Sequence, residues 1–79
     1  MVYCNFIEQS KGKIVYAIGG FPDDITGRLE IDLSDNSFEV TAPPKNSRVY
    51  DRHIASMLRK HLSELANGDY KQKMSYEIG

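Results

Sequence analysis

Apolar and polar residues alternate with a period of two over residues 28–33 and 38–41, and the aromatic and β-branched runs 2–8 and 13–18 precede them. Apolar residues recur every three or four positions between 50 and 65, and alternation returns after residue 70. The runs and the first alternation read as strands, the wider spacing as a helix and the last alternation as a returning strand. Residues 2–8 and 13–18 are rich in Tyr, Phe, Ile and Val, which suit a pleated surface. Ser10-Lys11-Gly12 between them reads as a three-residue hairpin loop with Gly12 in the left-handed position. That loop sets Phe6 opposite Tyr16, Cys4 opposite Ile18 and Glu8 opposite Ile14. A two-residue turn at Lys11-Gly12 would slip the register by one and turn one strand over.

Residues 28–33 alternate without error, and residues 38–41 continue the alternation after a turn. A two-residue turn at Asp35-Asn36, both tolerant of positive φ, pairs Leu33 with Phe38, Ile31 with Val40 and Leu29 with Ala42. Pro43-Pro44 ends this strand, because proline brings no N–H to a ladder. Ser47 is the expected N-cap of a helix that runs to about Asn67, with Gly68 as its stop. The helix stripe is Tyr50, Ile54, Met57, Leu58, Leu62 and Leu65, a core-facing surface, with Arg48, Arg52 and Arg59 on the opposite side. Beyond it, Tyr70, Met74, Tyr76 and Ile78 alternate with lysines and Ser75, with Gln72 as a polar exception. That pattern suits a fifth strand at a sheet edge, and a frayed tail is the competing reading. The expected fold is α+β: a small antiparallel β-sheet in the order β-β-β-β-α, with a fifth C-terminal strand and one amphipathic helix packed on one face.

At 79 residues the chain is expected to form a single domain, residues 1–79, with a correspondingly thin core. A single cysteine, Cys4, leaves no internal disulfide, and a secreted domain of this size usually needs several. No stretch approaches the roughly 20 apolar residues of a membrane span, and the N-terminus lacks the pattern of a signal peptide. The expectation is a cytoplasmic protein without a membrane partner. The net charge of −1 conceals an asymmetry, since residues 1–40 carry seven acids against three bases and residues 41–79 carry seven bases against four acids.

Candidate chemistry is sparse. In the segment from Gly19 to Gly27, three glycines flank Asp23 and Asp24, whose oxygens could serve a hard cation. Adjacent Asp side chains seldom converge on one ion, so the segment reads as a connection in which Pro22 and Asp23 start a helical turn. His53 and His61 lie eight residues apart, roughly 12 Å along a helix, too far to share a metal. Cys4 and His61 both turn inward and would pair as an activated thiolate, but no recognised spacing supplies an orienting third residue or an oxyanion hole. The chain therefore reads as a non-enzyme with no catalytic residue, metal site or cofactor.

Two binding readings remain. Arg48, Arg52, Arg59 and Lys60 could neutralise phosphates of a nucleic acid, against an overall pI near 6.1 and no recognised nucleic-acid motif. The leading expectation comes from the outer faces. In the second hairpin the outward residues are Arg28, Glu30, Asp32, Glu39 and Thr41, which suit water. In the first they include Tyr3, Ile7, Val15 and Ala17, which do not. A sheet covered by one helix should be polar outside throughout. Those four residues are the expected interface of a protein-interaction module, with a homodimer or another protein as partner.

Overall fold

The computed structural model describes residues 1–76. Five strands and one helix follow in the order β1 (Val2–Ser10), β2 (Lys13–Gly19), β3 (Gly27–Asp32), β4 (Ser37–Ala42), α1 (Asp51–Ala66) and β5 (Lys73–Tyr76). The strands form one antiparallel sheet in the spatial order β4-β3-β2-β1-β5, so β4 and β5 are its edges. The fold is the expected α+β arrangement, and the fifth strand is formed. The part of it expected at Glu77 and Ile78 lies outside the described residues.

Both hairpins keep their inward faces but close differently from expectation. Ser10 pairs with Lys13 across a two-residue turn, with Lys11 and Gly12 at φ 50° and 78°. Positive φ at both central positions matches the right-handed twist of the flanking strands. The one-residue slip this turn would impose is absorbed by a β-bulge at Ile7. Phe6 still faces Tyr16 and Cys4 still faces Ile18, but Ile14 faces Gln9 and Glu8 faces Val15.

In the second hairpin Asp32 pairs with Ser37, Ile31 with Phe38 and Leu29 with Val40, two residues away from the expected register. Only Asn36 takes a positive φ, of 56°, so Asp35-Asn36 does not make a two-residue turn. Two Asp–Ser motifs hold the longer loop of residues 33–36. The Asp32 carboxylate accepts from Ser34 N–H and Oγ, and Asp35 accepts from Ser37 N–H and Oγ. A second bulge, at Thr41, returns Ala42 to Arg28.

The helix begins at Asp51, four residues after the expected cap. Tyr50 takes the N-cap position in an extended conformation with no side-chain cap, and its ring is exposed rather than part of the buried stripe. Gly68, at φ 84°, ends the helix with its N–H on the Leu65 carbonyl. The core joins Val2, Cys4, Ile14, Tyr16, Ile18, Leu29, Ile31 and Met74 of the sheet to Ile54, Met57 and Leu65 of the helix. The Tyr16 hydroxyl donates to the Lys71 carbonyl at 2.8 Å, and its ring meets Phe6 edge-on, which stacks in turn on Tyr70.

One helix cannot roof this sheet. Five strands span about 19 Å between the outer pair, against a helix roughly 10 Å across. The α1 backbone comes within 8 Å of β5 and β1 and of no other strand. The β3–β4 side is covered by helix side chains and by the β4–α1 connection, whose Val49 packs on the core and whose Pro44 lies against Gly27.

Candidate functional site

The space left beside the helix is an apolar groove of 210 Å³. Ile31 and Phe38 form its floor on the hairpin side, and Ala55, Leu58 and Leu62 form its wall on α1. Arg59 is the one charged lining residue, with Asn36 and Ser37 at the hairpin end. Phe38, Leu58 and Leu62 are only half-buried. The groove meets β4 at its start, at Ser37 and Phe38, and the far side of that strand carries no strand among the described residues. On the opposite face of the same hairpin, Glu30 and Glu39 stand directly across from one another, and neither makes an ion pair among the described residues. Lys13 shares that surface, beside Asp32.

Of the four residues expected to form an interface, Tyr3, Val15 and Ala17 share the outer face of the sheet and Ile7 does not. Val15 lies on the outer face as expected, yet is only 7% exposed in the isolated chain. It is flanked by Glu8 on β1 and Glu30 on β3, and Arg28 reaches over β2 to Glu8 at 3.7 Å. The aliphatic stems of these charged residues cover the strand between them. Tyr3 and Ala17 are half-buried. Ile7 is exposed but sits unpaired at the bulge, out of the Tyr3–Val15–Ala17 alternation. No second molecule is needed to take Val15 out of water. A mixed polar and apolar depression of 300 Å³ lies nearby, between Tyr3, Asn5, Lys73 and Ser75 and the Pro22–Ile25 side of the β2–β3 connection.

The glycine-flanked loop is a clamp. Its turn at Pro22-Asp23 is closed by the Asp24 N–H on the Phe21 carbonyl. Asp24, the one buried charged residue among the described residues, accepts from Ser47 Oγ at 2.6 Å, Asn46 N–H at 2.9 Å and Thr26 Oγ at 3.1 Å. Ser47 Oγ accepts in turn from Gly20 N–H, and Thr26 Oγ from Lys45 N–H. The Ser47 hydroxyl, and then the other donors, hold the Asp24 carboxyl below the usual carboxylate range. Ser47 is thus engaged by the loop and caps no helix.

The nucleophile and base are not brought together. Cys4 is 1% exposed, burial pushes its thiol up to about 12, and its polar neighbour is Met57 Sδ at 3.9 Å. The thiolate that nucleophilic chemistry needs is therefore scarce. His61 bonds Glu64 at 3.1 Å, which also holds Lys71. His53 lies between Tyr50 and Tyr76, and burial followed by the charge of Arg52 lowers its pKa. Among the described residues no three of His, Cys, Asp or Glu are grouped as metal ligands, and no helix is long and apolar enough to cross a membrane. Arg48, Arg52, Arg59 and Lys60 are all exposed. Arg52 lies 5.4 Å over the Tyr50 ring, whereas Arg59 turns toward the groove.

The groove residues Ile31, Phe38, Leu58 and Leu62 read as core in the sequence, and only the width of a five-stranded sheet against a single helix signals otherwise. Compared with protein-family models, curated proteins and solved structures, the chain matches none.

Proposed function

We infer that this chain is a non-catalytic interaction module of the cytoplasm that binds a protein without a cofactor. The observation that carries this reading is the half-open groove between α1 and the β3–β4 hairpin, where Phe38, Leu58 and Leu62 stay partly in water beside an unpaired strand edge. Apolar side chains left half-covered in so small a core are where a partner gains most from burial. The burial of Cys4 and its separate partnering from His61 weigh against an enzyme.

The test is site-specific photocrosslinking in cells, with the photoreactive residue at Leu62 or, as a control, at the solvent-facing Ser63. Discrete protein adducts from position 62 alone support the reading. Adducts from neither position, or equally from both, reject it.

A second reading, nucleic-acid binding, is favoured by the exposed Tyr50 ring carrying Arg52, a base-stacking platform beside Arg48. It expects salt-sensitive binding of single-stranded oligonucleotides that Arg52→Glu weakens. No retardation at low salt removes it.

A further inference from the structure

We propose that the partner enters as an extended segment that adds a strand to β4, with apolar side chains turned to the groove and basic side chains turned to Glu39 and Glu30. This rests on the interaction-module reading and specifies what that site accepts.

Strand addition needs an open edge with regular geometry and distinct environments for alternate side chains. β4 offers both from Ser37 to Val40, before the Thr41 bulge interrupts the ladder. A segment lying along this edge places one side chain beside Phe38, toward the hollow that Leu58 and Leu62 wall, and the next on that face beside Val40. The intervening side chains fall on the outer face beside Glu39, whose cross-strand neighbour is Glu30. Two like charges directly opposite destabilise a pair, and a cation placed beside them turns that cost into attraction. Arg59 on the groove side disfavours a basic residue there. The groove thus favours apolar side chains and disfavours basic ones, while the outer face, where Lys13 stands beside Asp32, favours a cation at Glu39, and together they read an alternating apolar–basic sequence.

The same charges and the Thr41 bulge argue against a second copy paired about Glu39 or Val40. Antiparallel self-pairing centred on Glu39 stacks four glutamates, from Glu30 to its counterpart across the axis. Centring on Val40 puts Glu39 opposite Thr41 of the other copy, where the bulge breaks the ladder. The other edge, β5, is short and carries Lys73, a common defence against pairing.

The experiment is a ¹⁵N NMR titration of the whole chain with an acetylated hexapeptide of alternating lysine and leucine, and with its glutamate–leucine counterpart. The expected result is a Kd at or below about 1 mM for the lysine peptide, with amide shifts centred on residues 37–40, Leu58 and Leu62. Glu39→Lys should weaken that peptide by up to about fivefold, an exposed charge pair being worth up to about 1 kcal/mol, and should favour the glutamate peptide instead. Equal binding of both peptides, shifts centred elsewhere, or an unchanged affinity in Glu39→Lys overturns the proposal. Crosslinks from Leu62 in cells would still stand in that case, so failure here separates from failure of the interaction reading. Sedimentation in the same buffer shows a monomer on this proposal, and a dimer abolished by a Phe38→Lys change overturns it.

Discussion

Replacing Tyr16 with phenylalanine removes one oxygen from the middle of the core and tests how the sheet is tied to the C-terminal segment. The hydroxyl donates to the Lys71 carbonyl at 2.8 Å, and the residue is fully buried. Phenylalanine keeps the edge-on contact with Phe6 but leaves that carbonyl without its donor. A net hydrogen bond contributes about 1 kcal/mol, and an orphaned partner raises the cost of losing it to about 1.5 kcal/mol. For a domain of this size that lowers Tm by about 6–12 °C. The pH dependence makes the test sharper. Burial, followed by the charges of Cys4 and Asp69, pushes the Tyr16 phenol from 10.0 up to about 12. The folded state therefore holds its proton where the unfolded chain releases it. The stability this confers is fully present below pH 10 and is lost as pH rises from 10 through 12, to a total on the order of 3 kcal/mol. Phenylalanine has no proton to lose. Urea denaturation followed by circular dichroism should show the variant less stable than the parent at pH 7, with the gap closing above pH 10 and the order reversing near pH 11. A Tyr16→Phe protein as stable as the parent at pH 7, or one whose gap stays constant through pH 11, would refute the role assigned to this hydroxyl.

Four further outcomes follow from other parts of the molecule. Asp24→Asn should flatten the acid limb of the stability curve, because a carboxyl held below 3.8 stabilises the fold above that pH and stops doing so as pH falls through its folded-state value; unchanged acid unfolding in the variant sinks this. Gly19→Ala should destabilise by about 2 kcal/mol, the usual scale of overpacking, because a Cβ there collides with the Asp24 carbonyl; chemical denaturation reads it directly. Native Cys4 should react with a disulfide reagent at pH 8 only as fast as the chain unfolds, and prompt modification of the folded protein contradicts the burial that pushes its thiol to about 12. Glu39→Lys should raise stability by about 0.2–1 kcal/mol, by replacing a like-charged cross-strand pair with an opposite one; a loss on thermal denaturation counts against it.

The alternation of residues 28–33 and 38–41 was enough to name the strands and their inward faces, because a period of two is written directly in the side chains. It could not name the register. Moving Phe38 from Leu33 to Ile31 keeps every inward residue facing an inward residue, so the pattern is silent between registers two apart, and the Asp–Ser loop motifs decide. The first hairpin shows the complementary case. The turn at Lys11-Gly12 demanded a slip, and the bulge at Ile7 absorbed it without turning Phe6 or Cys4 outward. The helix stripe from Ile54 to Leu65 was legible, but its start was not, since Ser47 could bond either its own helix or Asp24, and the carboxylate won. The candidate site was least legible of all. Val15 looked like part of an interface because its row is apolar, and it is covered by the stems of charges on adjacent strands. Phe38, Leu58 and Leu62 looked covered because they belong to stripes, and they are left half-open by where the helix lies.

The position of β5 beside β1 has a consequence for how the chain comes off the ribosome. β1, made before the other described strands, must wait for the last of them before its outer edge is sealed. Until residues 70–76 emerge, the nascent chain holds two finished hairpins, a helix without its nearest neighbouring strand, and an open edge bearing Val2, Cys4 and Phe6. The Phe6 N–H, which ends on the Gln72 carbonyl at 2.8 Å, has no backbone acceptor there during that interval. The pairing between β1 and β5 spans nearly the whole sequence, and contacts of that separation form late. A stop codon shortly after the helix would therefore do more than shorten the protein; it would leave an adhesive, strand-ready intermediate in place of a folded domain.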